Sequence, residues 1–142
     1  MITNILVVCT ANICRSPMAA ALFQGALPRV VVSSAGLYAR EDYAADPVAG
    51  QAMREYGVDL GRHRSRAVDD RMLATADLVL VMEHEHKREI ERRYPQSRGK
   101  IFCLDPDDDI ADPSGDTVAE YAAIASRIAL LTDKWAGQIR SI

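Results

Sequence analysis

Four short segments of the chain consist mainly of apolar side chains that follow one another directly instead of alternating with polar ones. Continuous apolar runs of this length are typical of strands that are buried on both faces of a parallel sheet. We therefore predict four strands, at residues 5–9, 30–34, 78–82 and 100–104.

Helix signals lie between the predicted strands. Ser16 and Pro17 precede an alanine-rich stretch, and this pair is typical of the N-cap and first residue of a helix, here continuing to residue 27. Asp46-Pro47 begins a second predicted helix, which ends at Gly57. The charged residues 85–93 predict a third helix.

Towards the end of the chain, apolar side chains recur at spacings of three and four residues. This period matches one face of an α-helix and predicts an amphipathic helix that packs on the sheet. Its apolar stripe consists of Tyr121, Ile124, Ile128, Leu131 and Trp135. An acidic, proline-containing loop at residues 105–116 precedes it.

The alternation of strands and helices predicts an α/β fold with three layers, in which helices cover both faces of a four-stranded parallel sheet. We expect the strand order 2-1-3-4 and a single domain over residues 1–142. Sheets of this kind bind ligands at the carboxyl ends of their strands, near the point where the strand order reverses. The loop after the first strand is therefore the expected ligand site.

Composition narrows the class of protein. The chain has 142 residues, of which 49% are hydrophobic and 26% charged, as in a soluble globular domain. No apolar run reaches the roughly 20 residues that a membrane-spanning helix needs, so we expect no membrane insertion. The formal net charge of −3 gives no support for nucleic-acid binding.

The cysteines and the N-terminus bear on the compartment. The chain has three cysteines, an odd number that argues against a secreted disulfide framework. Its first residues also lack the basic region of a secretory signal. We therefore expect a reducing, cytoplasmic location.

Residues 9–15, which we call the anion loop, carry the most unusual chemistry. Cys9 ends the first predicted strand, and Arg15 follows after five residues, just before a helix. A loop of this length can curl so that its N–H groups, with the helix N-terminus, bind a tetrahedral oxyanion such as phosphate. Arg15 adds a planar fork for two phosphate oxygens, and a thiolate is favoured in such surroundings. A thiolate below a bound phosphorus atom is an activated nucleophile.

The pattern Cys9-x5-Arg15-Ser16-Pro17, together with Ser34-Ala35-Gly36 and Asp112-Pro113, resembles the low-molecular-weight protein tyrosine phosphatases over essentially the whole chain. The resemblance is to the bacterial members associated with exopolysaccharide production in particular. It implies hydrolysis of phosphotyrosine in proteins, without metal or cofactor. It also implies a partner such as an autophosphorylating bacterial tyrosine kinase of polysaccharide export.

The resemblance assigns roles to individual residues. Cys9 would be the nucleophile that forms a phosphocysteine intermediate, and Arg15 would bind the phosphate and stabilise the transition state. Asp112 would protonate the leaving phenol and then activate water. Without the resemblance, Asp112 is one of several candidate acids in its loop, which are Asp105, Asp107, Asp108, Asp109, Asp112 and Asp116.

Further residues would shape the site by the same resemblance. The phosphate-binding loop would consist of Thr10, Ala11, Asn12, Ile13, Cys14, Arg15 and Ser16. Ser16 would hydrogen-bond the Cys9 thiolate, while Asn12, Ser34 and His63 would form a buried network that supports the loop. For the cleft walls we name Tyr38, Arg40 and Ser114, although residues 38–40 lack the pattern that is usual in the family.

The chain departs from the family pattern at several of these positions. Glycine is usual where Ala11 stands, so we expect mild strain there. Ser114-Gly115 replace the tyrosines that often follow Asp-Pro, which leaves substrate preference open.

Cys14 has two interpretations. By the resemblance, it would form a reversible disulfide with Cys9 that protects the nucleophile from overoxidation. It would otherwise be a small buried side chain, as we expect Cys103 to be.

Alternative functions remain open on the same scaffold. Bacterial protein arginine phosphatases share this scaffold. In that branch a threonine is usual at the position of Ile13, so this chain differs there. Its Ser114-Gly115, by contrast, is similar to that branch. Arsenate reductase needs two further cysteines for its disulfide relay, and residues 61–91 contain none.

A non-catalytic phosphate-binding module is the alternative from another class of protein. In that case a basic set of residues would dock an acidic partner; otherwise they form a solvated face. The set is Arg62, Arg64, Arg66 and Arg71.

Overall fold

The computed structural model describes residues 1–142, in which four strands alternate with helices. The strands are β1 (Asn4–Cys9), β2 (Val31–Gly36), β3 (Leu78–Val81) and β4 (Ile101–Cys103). The helices are α1 (Arg15–Ala26), α2 (Pro47–Arg54), α3 (Asp70–Thr75), α4 (His84–Arg93) and α5 (Val118–Arg140), with a 3-10 turn at Pro95–Ser97. None of the helices is both long and apolar enough to cross a membrane.

All neighbouring strands are parallel, in the order β2-β1-β3-β4. The predicted fold class and strand order are confirmed. In the register of the sheet, Val7 of β1 lies between Ser34 of β2 and Leu80 of β3. The strand order reverses beside β1, so the carboxyl end of β1, at Cys9, lies at the position where such sheets bind ligands.

The side chains of β1 alternate between two separate buried clusters. Ile5, Val7 and Cys9 pack with residues of α1, α2 and α5 on one face of the sheet. Leu6 and Val8 pack with residues of α3 and α4 on the other face. This two-sided burial explains why the strand sequence is continuously apolar.

The predicted N-cap of the first helix is wrong. Helix α1 begins at Arg15, its N-cap residue is Cys14, and no side chain caps it. Ser16 lies inside the first turn, where its hydroxyl bonds the Cys9 thiol at 2.9 Å instead of a helix amide. Pro17 fits the same turn, because N–H groups there have no partner within the helix.

Helix α5 buries a stripe centred slightly away from the predicted one. Ile124, Leu131 and Trp135 are only half-buried. The fully buried residues are Tyr121, Ala125, Ile128, Thr132, Ala136 and Ile139. Small side chains occupy the centre of the contact because α5 packs against α1, while Trp135 lies at the edge and donates a hydrogen bond to the Leu104 carbonyl at 2.8 Å.

The main element absent from the prediction is α3, a single short helix of six residues. Its N-cap is Asp69, whose side chain accepts a hydrogen bond from the Met72 amide at 2.9 Å. Strand β2 also continues to Gly36, two residues beyond the predicted end. That extension places Ser34-Ala35-Gly36 directly beside Val7-Val8-Cys9.

Ile128 is completely buried where α5 packs on the core, so truncating it removes contacts that the surrounding helices cannot replace. We expect Ile128→Ala to lower the free energy of unfolding by about 2–5 kcal/mol, measured by urea denaturation. Leu130→Ala on the same helix is the control, because Leu130 is 60% exposed. Equal losses for both variants would contradict the packing of α5.

Candidate active site

The anion loop places the Cys9 thiol at its centre. The Asn12 backbone N–H donates to Cys9 Sγ at 3.3 Å, and the Ser16 hydroxyl lies 2.9 Å from the same sulfur. Cys9 is almost fully buried and lies at the N-terminal end of α1. The sulfur thus faces a backbone N–H, a hydroxyl group and the N-terminal end of a helix.

Asn12 has the only left-handed backbone within the loop, with φ of 59°. Asparagine adopts this conformation more readily than most residues, so it suits the tightest point of the curve. Ala11 does not have positive φ, and its Cβ therefore causes no left-handed strain. The mild strain that we predict at Ala11 therefore does not arise from a left-handed backbone conformation.

The Asn12 side chain, which is completely buried, holds the loop through its amide. Its Nδ2 donates to Ser16 Oγ at 2.8 Å and to Ser34 Oγ at 2.9 Å. Its Oδ1 accepts from the backbone N–H of Arg66 at 3.0 Å. Every polar atom of the amide is thus bonded, as burial requires.

His63 supports the same residue from its backbone side, because its Nε2 lies 2.6 Å from the Asn12 carbonyl oxygen. That oxygen can only accept, so Nε2 donates. Burial lowers the pKa of His63, although the bond to Asn12 acts in the opposite direction. The structure therefore brings Asn12, Ser16, Ser34 and His63 together in one network, to which the Arg66 backbone is an addition.

Gly36 allows the loop to pass close to β2. A Cβ built on Gly36 would lie 2.6 Å from the Thr10 carbonyl oxygen and 3.0 Å from the Asn12 nitrogen. These backbone atoms cannot move without displacing the loop. The motif Ser34-Ala35-Gly36 thus combines a hydrogen-bond partner for Asn12 with a residue that has no side chain.

A further support for the loop comes from α2 and α5. The Asp46 backbone N–H donates to the Ile13 carbonyl at 2.7 Å. The Asp46 side chain caps α2 and accepts a hydrogen bond from the Tyr121 hydroxyl at 2.6 Å. Sequence analysis identified Asp46 only as a helix start, because nothing local indicates its contact with the loop.

Arg15 is 2% exposed and is held along one edge of its guanidinium group. Nη1 donates to Glu83 Oε2 at 2.5 Å and to the Ile110 carbonyl at 2.7 Å. Nη2 donates to Thr10 Oγ1 at 3.3 Å. The Nε hydrogen and the second Nη2 hydrogen have no protein acceptor. Together they can donate to two oxygens of one bound oxyanion.

Glu83 is a functional residue that sequence analysis missed. It is the N-cap of α4, close to the end of β3, on the strand that neighbours β1. An acidic residue at the carboxyl end of the strand beside the anion loop is the signal that could have identified it.

Asp112 and Ser114 lie at the mouth of the loop. They line a small cavity together with Cys9, Ala11, Asn12, Ile13, Cys14 and Arg15. Asp112 is the only candidate aspartate of its loop that lines this cavity. Its Oδ1 accepts from the Ser114 N–H at 3.0 Å, which fixes the direction of the carboxyl group.

Other aspartates of this loop have different partners. Arg127 of α5 donates to Asp105 Oδ2 at 2.8 Å and to the Asp109 carbonyl at 3.0 Å. The Asp109 side chain lies 2.7 Å from His84 Nδ1. These bonds lower the pKa of Asp105 and of Asp109, chiefly through Arg127 and His84 respectively, and they anchor the loop that carries Asp112.

Tyr38 and Arg40 do not line the cavity. The Tyr38 ring is 68% exposed and packs against the Arg93 guanidinium, whose central carbon lies 5.9 Å from the ring centroid. The Arg40 carbonyl accepts a hydrogen bond from the Ser65 hydroxyl at 2.5 Å. Of the three predicted wall residues, only Ser114 lies with the loop.

Cys14 is buried, and the loss of solvation is the main cause that raises the pKa of its thiol. Burial also raises the pKa of Cys103. All three cysteines are free thiols. Cys9 alone is surrounded by hydrogen-bond donors directed at its sulfur.

Comparison with known proteins is consistent with this geometry. Residues 4–141 match the model of the low molecular weight phosphotyrosine protein phosphatase family. The chain belongs to this family. The predicted cysteine-based phosphatase is thereby confirmed, together with its resemblance to the exopolysaccharide-associated bacterial members.

Individual relatives match along nearly their full length. EpsP of Ralstonia nicotianae, named a probable low molecular weight protein-tyrosine-phosphatase, is 41% identical, with 100% of this chain and 99% of EpsP covered. The structure of the tyrosine phosphatase AmsI from Erwinia amylovora has a TM-score of 0.94 at 35% identity, covering 97% of this chain and 93% of that one. The YwlE arginine phosphatase from Geobacillus stearothermophilus has a TM-score of 0.93 at 38% identity, with the same coverage.

The close approach at Gly36 makes a prediction about the loop. Gly36→Ala should displace the Thr10 carbonyl, lower phosphatase kcat and destabilise the fold by about 1–3 kcal/mol. Gly25→Ala in α1 is the control, because nothing lies within 4 Å of its added Cβ. Steady-state kinetics and urea unfolding check both variants, and an unchanged kcat for Gly36→Ala would disprove the constraint.

Half-buried His63 and buried His86 are expected to make stability depend on pH. Burial lowers the pKa of both His63 and His86 in the folded chain. As the pH falls below about 6.5, the unfolded chain binds protons on these residues before the folded chain does. The free energy of unfolding should therefore decrease as the pH is lowered from about 7 to about 5, and it should be regained when the pH is raised again. Urea unfolding measures the slope, which His86→Gln should reduce.

Proposed function

We propose that this phosphatase hydrolyses phosphotyrosine in proteins through a phosphocysteine intermediate on Cys9. The Cys9 thiolate attacks phosphorus, and a P–S bond forms as the P–O bond to the tyrosine ring breaks. Asp112 gives its proton to the departing phenolate oxygen. A water molecule then attacks phosphorus, Asp112 takes its proton, and the P–S bond breaks to release phosphate and the free thiolate.

The observation that carries this proposal is the convergence of three groups on one small cavity. Cys9, Arg15 and Asp112 all line it, although Asp112 is distant from the other two in the sequence. The loop amides and the free edge of Arg15 can stabilise the charge on the transferred phosphoryl group. A carboxyl group beside the leaving oxygen supplies the proton that a phenolate needs.

The cavity also bears on the choice of substrate. Ile13 lines it and offers an apolar contact for an aromatic ring. This favours phosphotyrosine over phosphoarginine, whose guanidinium group needs hydrogen-bond acceptors.

For the partner, we propose an autophosphorylating tyrosine kinase of polysaccharide export, on the basis of the resemblance to exopolysaccharide-associated members. The three free thiols support a reducing, cytoplasmic location.

Protein arginine phosphatase activity is the second candidate. The similarity to the YwlE arginine phosphatase, at a TM-score of 0.93, is the observation that favours it. Ser114 at the mouth of the cavity, in place of an aromatic residue, is also compatible with a substrate that is not a flat ring.

Turnover of matched peptides tests these proposals. We expect phosphate release from phosphotyrosine peptides in preference to phosphoarginine and phosphoserine peptides, and Cys9→Ser should abolish it. Asp112→Asn should lower kcat on phosphotyrosine by about 100-fold or more, since general acid catalysis contributes that much. Its effect should be smaller on an activated phenyl phosphate, whose leaving group needs no proton.

Other outcomes would change the proposal in defined ways. A preference for phosphoarginine would establish the second candidate. Absence of turnover, with phosphate still bound, would indicate a non-catalytic phosphate-binding module. Equal losses on both leaving groups in Asp112→Asn would exclude Asp112 as the general acid.

A further inference from the structure

The Thr10 hydroxyl, next to the nucleophile in the sequence, is the meeting point of two other side chains. His86 Nε2 of helix α4 lies 2.9 Å from Thr10 Oγ1. Arg15 Nη2 donates to the same oxygen at 3.3 Å. His86 is 5% exposed and Arg15 is 2% exposed, while Thr10 itself is partly buried.

The backbone of α4 determines which nitrogen of His86 carries the proton. The Glu83 backbone N–H donates to His86 Nδ1 at 3.1 Å, as part of the capping box that begins the helix. Nδ1 is therefore an acceptor without a hydrogen, and the proton of the neutral ring is on Nε2. His86 thus donates to Thr10 Oγ1.

The charged groups around His86 are consistent with a neutral ring. Burial is the main cause that lowers the pKa of His86, and Arg15 acts in the same direction. Glu83, Asp109 and Glu85 act in the opposite direction. An imidazolium ring would also lose the bond from the Glu83 amide, because protonated Nδ1 cannot accept.

These contacts fix the direction of the Thr10 hydroxyl proton. A hydroxyl oxygen has two lone pairs and one hydrogen, and here His86 and Arg15 occupy both lone pairs. The hydroxyl makes no hydrogen bond to a protein acceptor, so its proton remains available. It lies beside the Arg15 nitrogen whose second hydrogen is free for an oxyanion.

We propose that the Thr10 hydroxyl donates a hydrogen bond to a non-bridging oxygen of the bound phosphoryl group, beside Arg15. His86 is then a positioning residue, which keeps the hydroxyl proton directed at the phosphate instead of at the protein. The inference deepens the proposed function, since it needs a phosphoryl group in the anion loop. It does not need that group to come from tyrosine.

Thr10→Val tests the proposal, because valine keeps the shape of threonine and lacks its hydroxyl. Its dissociation constant for inorganic phosphate, measured by calorimetry, should rise about ten- to a hundredfold, as expected for the loss of a hydrogen bond to a charged group. The kcat/KM on phosphorylated peptides should fall by a similar factor. Thr10→Ser keeps the hydroxyl and should stay close to the original protein in both measurements.

The role of His86 is tested by a double-mutant cycle. His86→Phe should weaken phosphate binding in the original protein and have no further effect in Thr10→Val, since it acts only through the hydroxyl. Additive losses would show that His86 does not act through Thr10. Urea unfolding of each variant confirms that the fold is intact, so that a general loss of structure is recognised.

Two results would overturn the inference about Thr10 itself. One is unchanged phosphate affinity in Thr10→Val, and the other is an equal loss in Thr10→Ser. Because phosphate binding is measured without turnover, failure of the proposed reaction on phosphotyrosine is distinguishable from failure of this inference.

Discussion

The anion loop depends on one buried amide. Asn12 has a left-handed backbone, and that conformation is maintained because each polar atom of its side chain and its carbonyl has a partner on another element. The partners come from α1, from β2 and from the segment between α2 and α3. Loss of a partner would leave a buried polar atom unsatisfied, at a cost of about 1–3 kcal/mol. The curvature of the anion loop is therefore a property of the tertiary structure and not of residues 9–15 alone.

This dependence explains how far the sequence could predict the molecule. The strands were predictable because Ile5–Val8 and Leu78–Val81 are buried on both faces, which imposes a continuous apolar run. Helix α3 escaped prediction because its six residues contain a single fully buried side chain, Leu73, and no apolar period can develop. From its neighbours in the sequence alone, Ser16 fits two positions, the N-cap of the helix and a residue of its first turn. Only the fold shows that its hydroxyl bonds the Cys9 thiol and that no side chain caps the helix.

The same limit applies within the site. Cys9 and Arg15 lie on one continuous segment, so their spacing alone indicates an anion site. Asp112 follows a different strand, and among six aspartates in one acidic loop nothing local distinguishes it. The family pattern selected it, and the cavity lining agrees with that selection. Glu83 and His86 were overlooked because their partners lie about 70 residues away, at Arg15 and Thr10. Contacts of that range are visible only after the strand order places β3 beside β1.

Arg15 connects these separate segments. Its Nη1 bonds Glu83 after β3 and the Ile110 carbonyl in the loop of Asp112, and its own backbone begins α1. A buried guanidinium without a carboxylate partner would be costly, so Glu83 compensates its charge before any phosphate binds. That compensation reduces the net attraction for anions but fixes the direction of the remaining donors. Because phosphoryl transfer depends on positioning more than on covalent chemistry, a fixed fork is more useful than a stronger but mobile charge. The hydrogen bond from Arg15 to the Ile110 carbonyl also joins the anion loop to the loop that carries Asp112. In the proposed reaction, Arg15 would thus couple the position of the Cys9 nucleophile to that of the Asp112 acid.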